Sequence, residues 1–178
     1  GLMRLLDADI CARVNEDSAK RYDVRVGRTV ASAVEDYRGV TVTLDDGATI
    51  TADVLLVATG RTPNGDQMDL ERGGVAMTPD GRIDVDRYGR SVSAEGVWAL
   101  GDVSSPFMLK HVANAEMRAV RHNLLHPEDL QKLPHEHVPS AVFTNPQIAT
   151  VGLTERQARE AGHNVTVKIQ RYGDVAYG

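Results

Sequence analysis

Cysteine and aromatic residues are scarce in this sequence of 178 residues, which has one cysteine, one tryptophan and two phenylalanines. A single cysteine, Cys11, excludes an internal disulfide, a Cys-x-x-Cys redox pair and a cysteine-rich zinc site. The surrounding residues predict a short helix that Asp7 opens, with Cys11 and Val14 on one buried face. We therefore interpret Cys11 as a small core residue and not as a reactive thiol.

Long apolar runs and an excess of positive charge are also missing. The longest apolar run, Val54 to Ala58, has the length of a buried strand and not of a membrane span. The net charge of −5 gives no basis for binding nucleic acid or an anionic membrane. From the first residues, Gly1 to Arg4, we expect no secretory leader. We expect a cytoplasmic protein that binds neither nucleic acid nor membranes.

The first half of the sequence is rich in strand signals. Alternating valines predict one or two strands with a buried face over 22–35. The β-rich runs 40–44 and 48–52 flank Asp-Asp-Gly and predict a hairpin. Unalternating runs at 54–58 and 97–100 predict strands that are covered on both faces.

The second half is organised around one long helix. Residues Lys110 to Leu125 carry an apolar stripe with a 3.6-residue period, and Pro127 ends the helix. The stripe consists of Ala113, Met117, Val120 and Leu124. The composition of residues 126–139 is typical of a linker. Further predicted elements are strands at 82–86, 141–143 and 165–170, and a helix from its N-cap Thr154 to Ala161 with Gly162 as its stop.

Two of the predicted strands end in residues that suit a bound ligand. In open α/β sheets, ligands lie beyond the carboxyl ends of the strands. Gly60 allows close approach of the backbone, and Arg61 can meet a phosphate or an acidic partner. At the second strand end, Gly101 allows close approach, and the carboxylate of Asp102 can accept hydrogen bonds from sugar-like hydroxyls.

The start of the helix at Lys110 adds a second kind of ligand contact. The first amides of a helix are unpaired and carry partial positive charge, which suits an electron-rich ring edge. Together with Asp102, this helix end predicts a site for a polyol joined to an electron-accepting ring. Gly-Asp after a strand is, taken alone, more often a plain turn, and His111 is more often solvated than catalytic. The pair His135 and His137 lacks the further ligands of a metal site, and we expect none.

Three segments resemble, in order and spacing, motifs of the FAD-dependent pyridine nucleotide–disulfide reductases, the family of glutathione reductase and dihydrolipoamide dehydrogenase. Residues 58–64, Ala-Thr-Gly-Arg-Thr-Pro-Asn, are similar to the loop where that family's chain leaves the nicotinamide nucleotide domain. Residues 97–103, Val-Trp-Ala-Leu-Gly-Asp-Val, are similar to its second FAD motif. Residues 143–146, with 151–155 after them, resemble the opening of its C-terminal dimerisation domain. The resemblance covers essentially the whole chain.

The resemblance implies an α/β fold, with parts of doubly wound dinucleotide-binding domains followed by the start of an α+β dimerisation domain. Residues 1–60 would be the C-terminal part of the NAD(P)-binding domain, and 61–126 the returning segment of the FAD-binding domain. Residues 127–138 would be a linker, and 139–178 the truncated start of the dimerisation domain.

The resemblance also implies a role for each predicted site residue. Asp102 would hold the ribityl chain of FAD, and the Gly60 loop would lie against the bound nucleotide. The amides around Leu109, Lys110 and His111 would face the O2 edge of the flavin ring, where the helix end would stabilise negative charge.

Members of this family pass electrons from NADPH or NADH through FAD and a cysteine pair to a small-molecule disulfide, and they act as homodimers. This sequence lacks both G-x-G-x-x-G motifs, the redox C-x-x-x-x-C and the C-terminal His-Glu pair. We therefore expect an internal fragment of such a reductase, with cofactor-binding segments and no catalytic residue. Three alternatives stay open: a dihydrolipoamide dehydrogenase-like enzyme, a non-catalytic FAD- or nucleotide-binding module, and a plain structural domain.

Overall fold

The structure is a computed structural model that describes residues 1–175, and it divides into two compact units. The first unit comprises Gly1–Ala58 with Leu153–Gly178, and the second comprises Thr59–Gly152. The helices are α1 (Ala8–Ala19), α2 (Lys110–Leu125) and α3 (Glu155–Glu160). The strands are β1 (Val30–Asp36), β2 (Gly39–Leu44), β3 (Thr49–Ala52), β4 (Ser140–Val142) and β5 (Ile148–Thr150). Short 3-10 helices lie at Asn64–Gln67, Leu70–Gly73, Gly101–Val103 and Tyr172–Asp174.

The first unit contains an antiparallel sheet in the order β1-β2-β3. The predicted hairpin is confirmed as β2 and β3, with Val42 opposite Ile50. The prediction of a buried face over 22–35 is wrong, because β1 starts only at Val30 and all of its residues are exposed. The alternating valines predict a strand correctly, but the pattern does not show whether another element packs on its apolar face.

The helices of the first unit begin where the sequence predicts. Asp7 precedes α1, and Cys11 and Val14 share one face, although both are only half-buried. The thiol of Cys11 donates to the carbonyl oxygen of Met3 (3.0 Å). At α3, the Thr154 hydroxyl accepts from the amide of Gln157 (3.3 Å), which forms a capping box.

Four predicted strands do not form within the described residues. The run 54–58 forms no strand, and Val54 and Leu56 are 80% and 85% exposed. A strand needs a neighbour to pair its backbone groups, and the described residues pair none with this run. Residues 165–170 also lack strand structure. The stretches 82–86 and 97–100 are reduced to single bridges, which join Ile83 to Met77, Val85 to Ser91 and Trp98 to Arg90.

The core of the second unit consists of two clusters. One contains Val75, Ile83 and Ala99, and the other contains Ala119, Val120 and Leu133. Strands β4 and β5 form a separate antiparallel pair, which confirms a strand beginning near the predicted position 141. None of the helices in the described range is long and apolar enough to cross a membrane.

Helix α2 has the predicted bounds but a different buried face. The predicted stripe is wrong at Met117 and Leu124, which are exposed. The buried residues are Val112, Glu116, Ala119, Val120 and Asn123. They follow helical spacing. Two of them, Glu116 and Asn123, are polar, and their hydrogen bonds to other groups of the second unit allow their burial.

Candidate functional site

Residues that follow the runs 54–58 and 97–100, which the sequence predicted as strands, line one cavity in the second unit. The cavity has a volume of about 450 Å³ and is lined by Arg61, Thr62, Pro63, Asn64, Asp102, Val103 and Met108. A guanidinium nitrogen of Arg61 lies 3.8 Å from a carboxylate oxygen of Asp102. Both side chains are exposed, so their attraction contributes about 1 kcal/mol at most. The Asp102 carboxylate can therefore exchange this partner for a ligand hydroxyl at little cost.

Gly60 stands beside this cavity and does not line it. Its φ angle is 138°, a conformation that side chains other than glycine disfavour. Apart from Gly60 itself and its two chain neighbours, no described residue has an atom within 4 Å of a Cβ placed there. The backbone conformation, and not close packing, is therefore what requires glycine at this position.

The N-terminus of α2 is open to an incoming group. Leu109 occupies the N-cap position, and no side chain among residues 1–175 caps it. No acidic residue stands in the first turn, so the partial positive charge of the free amides is not neutralised there. Lys110 and His111 are exposed. An imidazole nitrogen of His111 lies 2.9 Å from the carbonyl oxygen of Pro139.

Asp102 lies in the short 3-10 helix Gly101–Val103, which packs against α2. A Cβ added to Gly101 would lie 3.4 Å from the Cβ of Ala113, an ordinary van der Waals contact, so the packing alone does not require glycine here. The φ angle of Gly101 is also positive, at 71°. The structure therefore places the Asp102 turn directly against the first part of α2. A single ligand site that uses both the Asp102 carboxylate and the N-terminus of α2 requires this proximity.

Glu116 joins this turn to α2, and the apolar pattern gave no sign of it. Its side chain is 0% exposed, and Oε2 accepts a hydrogen bond from the Gly101 amide (2.6 Å). Nε2 of His135 lies 2.6 Å from Oε1 of the same carboxylate. The available signal was spacing, because Glu116 stands in phase with Val112 and Ala119 on the helix.

Asn123 makes a similar buried connection two turns later on α2. Its Nδ2 donates to the carbonyl oxygens of Tyr88 (3.0 Å) and Gln131 (2.9 Å), and its Oδ1 accepts from the Gln131 amide (2.7 Å). The stretch predicted as a linker therefore lacks helix and strand but is tied to α2. Leu133 completes this attachment by packing on Val120.

A larger cavity of about 1010 Å³ lies within the first unit. Residues of α1, of α3 and of the stretch 165–170 line it, and none of them is a predicted cofactor residue. Its charged side chains include the pairs Arg159–Glu155 and Arg156–Glu160. No group of three or more metal-ligating side chains is assembled in the part of the chain that the structure describes. The smaller cavity beside Asp102 is therefore the candidate site.

The family model "Pyridine nucleotide-disulphide oxidoreductase" matches residues 1–119 of the chain. The model of the corresponding dimerisation domain matches residues 138–177.

Among curated relatives, mycothione reductase of Mycobacterium tuberculosis is 54% identical over 99% of this chain and 39% of its own length. Glutathione reductase of Burkholderia cepacia is 37% identical over 93% of this chain and 37% of its own length. The chain thus spans less than half the length of these relatives.

Solved structures agree with these matches. The HOCl-induced flavoprotein disulfide reductase RclA from Escherichia coli has a TM-score of 0.79 at 29% identity, covering 91% of this chain and 37% of the other. LpdA from Mycobacterium tuberculosis has a TM-score of 0.74 at 30% identity, covering 87% and 34%.

Proposed function

Because the chain belongs to the pyridine nucleotide–disulphide oxidoreductase family, we propose that it is an internal part of an FAD-dependent disulfide reductase. In the whole enzyme, electrons pass from NADPH or NADH through FAD and a cysteine pair outside this chain to a low-molecular-weight disulfide. The single observation that carries the proposal is the 54% identity to mycothione reductase over 99% of this chain.

The proposed substrate is mycothione. The 54% identity to mycothione reductase exceeds the 37% identity to glutathione reductase over nearly the same part of the chain. Residues 104–116 and 172–178 also resemble mycothione reductase more than other members of the family; the last three of these residues lie outside the described range. A dihydrolipoamide dehydrogenase-like enzyme is the alternative, and comparing turnover of mycothione with turnover of lipoamide in the full-length protein decides between them.

The proposed domains are those of the family. Residues 1–60 and 61–126 belong to the nucleotide- and FAD-binding domains, residues 127–138 are the connection after them, and 139–178 begin the dimerisation domain. The match to a dimerisation domain supports a homodimer as the working form. The cytoplasm is the proposed location.

FAD supplies an electron acceptor between the nicotinamide and the cysteine pair. The residues around the cavity fit two parts of that cofactor. The Asp102 carboxylate is exposed and loosely paired, so it would be free to accept hydrogen bonds from ribityl hydroxyls. The uncapped amides that begin α2, around Leu109, Lys110 and His111, would favour electron density at the N1/O2 edge of the ring. The Gly60 loop would lie against bound nucleotide.

The role of Asp102 is tested by Asp102→Ala in the full-length protein. Loss of a charge-assisted hydrogen bond of about 1.5–3 kcal/mol corresponds to a Kd for FAD that is about 10 to 150 times higher. Fluorescence titration of the apoprotein measures this Kd, and flavin content after dialysis supports it.

Asp69→Ala is a matched control for this test. Asp69 is also an exposed aspartate of the second unit with a loosely held arginine partner, since its carboxylate lies 3.9 Å from Arg72. FAD binding should be unchanged in that variant. Equal FAD affinity in Asp102→Ala and wild type would refute the assigned role.

A further inference from the structure

Gly101, the residue before Asp102, has hydrogen bonds at both its N–H group and its carbonyl oxygen. Its N–H donates to the buried carboxylate of Glu116 (2.6 Å). Its carbonyl oxygen accepts from the amides of Ser104 (2.9 Å) and Ser105 (2.7 Å). Since the direction of the Asp102 side chain depends on the backbone that precedes it, these bonds set where the carboxylate points.

Glu116 connects the two parts of the candidate site. It belongs to α2, six residues after Lys110, and it binds the turn that carries Asp102. A hydrogen bond from a backbone amide to a carboxylate is stronger than one between neutral groups. One side chain therefore fixes the Asp102 turn relative to the N-terminus of α2.

The chemistry of Glu116 is unusual for a core position. A carboxylate without exposed surface costs free energy unless its oxygens are hydrogen-bonded. An apolar side chain would fill the same space without that cost, but it would leave the Gly101 amide without an acceptor. The second oxygen lies 2.6 Å from His135, whose ring packs edge-on against Phe107. His135 thus restrains the orientation in which Glu116 meets Gly101.

We propose that Glu116 is a positioning residue for FAD: its carboxylate fixes the Gly101 backbone and thereby aims the Asp102 carboxylate relative to the N-terminus of α2. The inference rests on the function proposed above and deepens it. Glu116 itself does not contact the cofactor and acts through Asp102.

The first test measures the Kd for FAD in full-length apoprotein variants. Glu116→Ala removes the acceptor and should raise the Kd about tenfold, while Glu116→Gln keeps a neutral acceptor and should raise it about threefold. Asn123→Ala removes another buried polar side chain from the same face of α2 without touching the turn, so it should raise the Kd much less than Glu116→Ala does. A Kd that rises as much in Asn123→Ala as in Glu116→Ala would overturn the inference.

The second test asks whether Glu116 acts through Asp102. In a double-mutant cycle, Glu116→Ala should raise the Kd less than about twofold when Asp102→Ala is already present. Independent, multiplying effects would overturn the inference. If Asp102→Ala alone leaves the Kd unchanged, the proposed function fails; if it weakens binding while neither Glu116 variant does, this inference alone fails.

A third measurement does not depend on the cofactor. Hydrogen exchange of the apoprotein should be faster over residues 101–105 in both Glu116 variants, more so in Glu116→Ala, and much less affected in Asn123→Ala. Glu116→Gln preserves the size and shape of the side chain, so it keeps the test decisive if the alanine variant does not fold. Unchanged exchange in Glu116→Gln and Glu116→Ala would refute the positioning role.

Discussion

Replacing Asn123 by alanine should loosen the segment that comes after α2. The side chain is 1% exposed and makes three hydrogen bonds, two from Nδ2 and one to Oδ1. Each buried group left without a partner costs about 1–3 kcal/mol. Gln131 is exposed, so water can satisfy its backbone groups after the substitution. We therefore expect a loss of about 2–4 kcal/mol in the local free energy of opening.

Native-state hydrogen exchange of the full-length protein measures this loss. The Leu133 amide donates to the carbonyl oxygen of Arg87 (2.8 Å) and reports on the attached segment. Its exchange should become about 30 to 1000 times faster in Asn123→Ala, as the estimated free energy requires.

Asn123→Asp sharpens the test because it conserves volume. It places a carboxylate oxygen against the carbonyl oxygens of Tyr88 and Gln131, and it should open the segment more than alanine does. Exchange at Leu133 that stays at the wild-type rate in Asn123→Ala, or an aspartate variant milder than the alanine variant, would refute this reasoning.

Two further predictions concern the turn at 86–90. Gly89→Ala should destabilise the protein by about 3 kcal/mol, because φ is +90° and the new Cβ would lie 2.9 Å from Val120. Gly96→Ala is the control: φ is also positive there but the space is open, so the substitution should cost about 1–2 kcal/mol. Equal losses of stability in thermal unfolding of the two variants would contradict the packing argument. Partial burial raises the pKa of Asp86, but hydrogen bonds from Arg90 and backbone amides outweigh it and hold the pKa below its usual value of 3.8. The turn should therefore keep its stabilisation above about pH 4 and lose it as the pH falls below that value, which carboxyl NMR titration of wild type against Arg90→Ala would check; an unchanged pKa in the variant would contradict the assignment.

Local signals predicted the elements that are stabilised locally. The β2–β3 hairpin, the bounds of α2 and the capped start of α3 depend on residues within a few positions of one another, and the structure has all three. The run 54–58 failed because its apolar residues need neighbouring strands to become a strand. A sequence pattern shows that such a run suits burial, but it does not show what will bury it.

The sequence motifs pointed to individual residues of the candidate site, but not to the contacts between them. The motifs named Gly60 and Asp102 separately, while the contact of Arg61 with Asp102 depends on the folded arrangement of the second unit. Glu116 was missed because a charged side chain breaks an apolar stripe. Its spacing places it on the buried face, but its partners Gly101 and His135, 15 and 19 residues away, depend on the folded arrangement.

The contacts of residues 126–136 with α2 limit where the chain can be divided when chimeric proteins are made. A breakpoint chosen by composition, directly after Leu125, would separate Leu133 from the cluster of Ala119 and Val120. It would also remove His135 from Glu116. A breakpoint after Glu136 leaves both contacts intact. Under the function proposed above, chimeric proteins that exchange dimerisation domains should keep FAD affinity only when the helix and the stretch behind it, as far as Glu136, are inherited as one block.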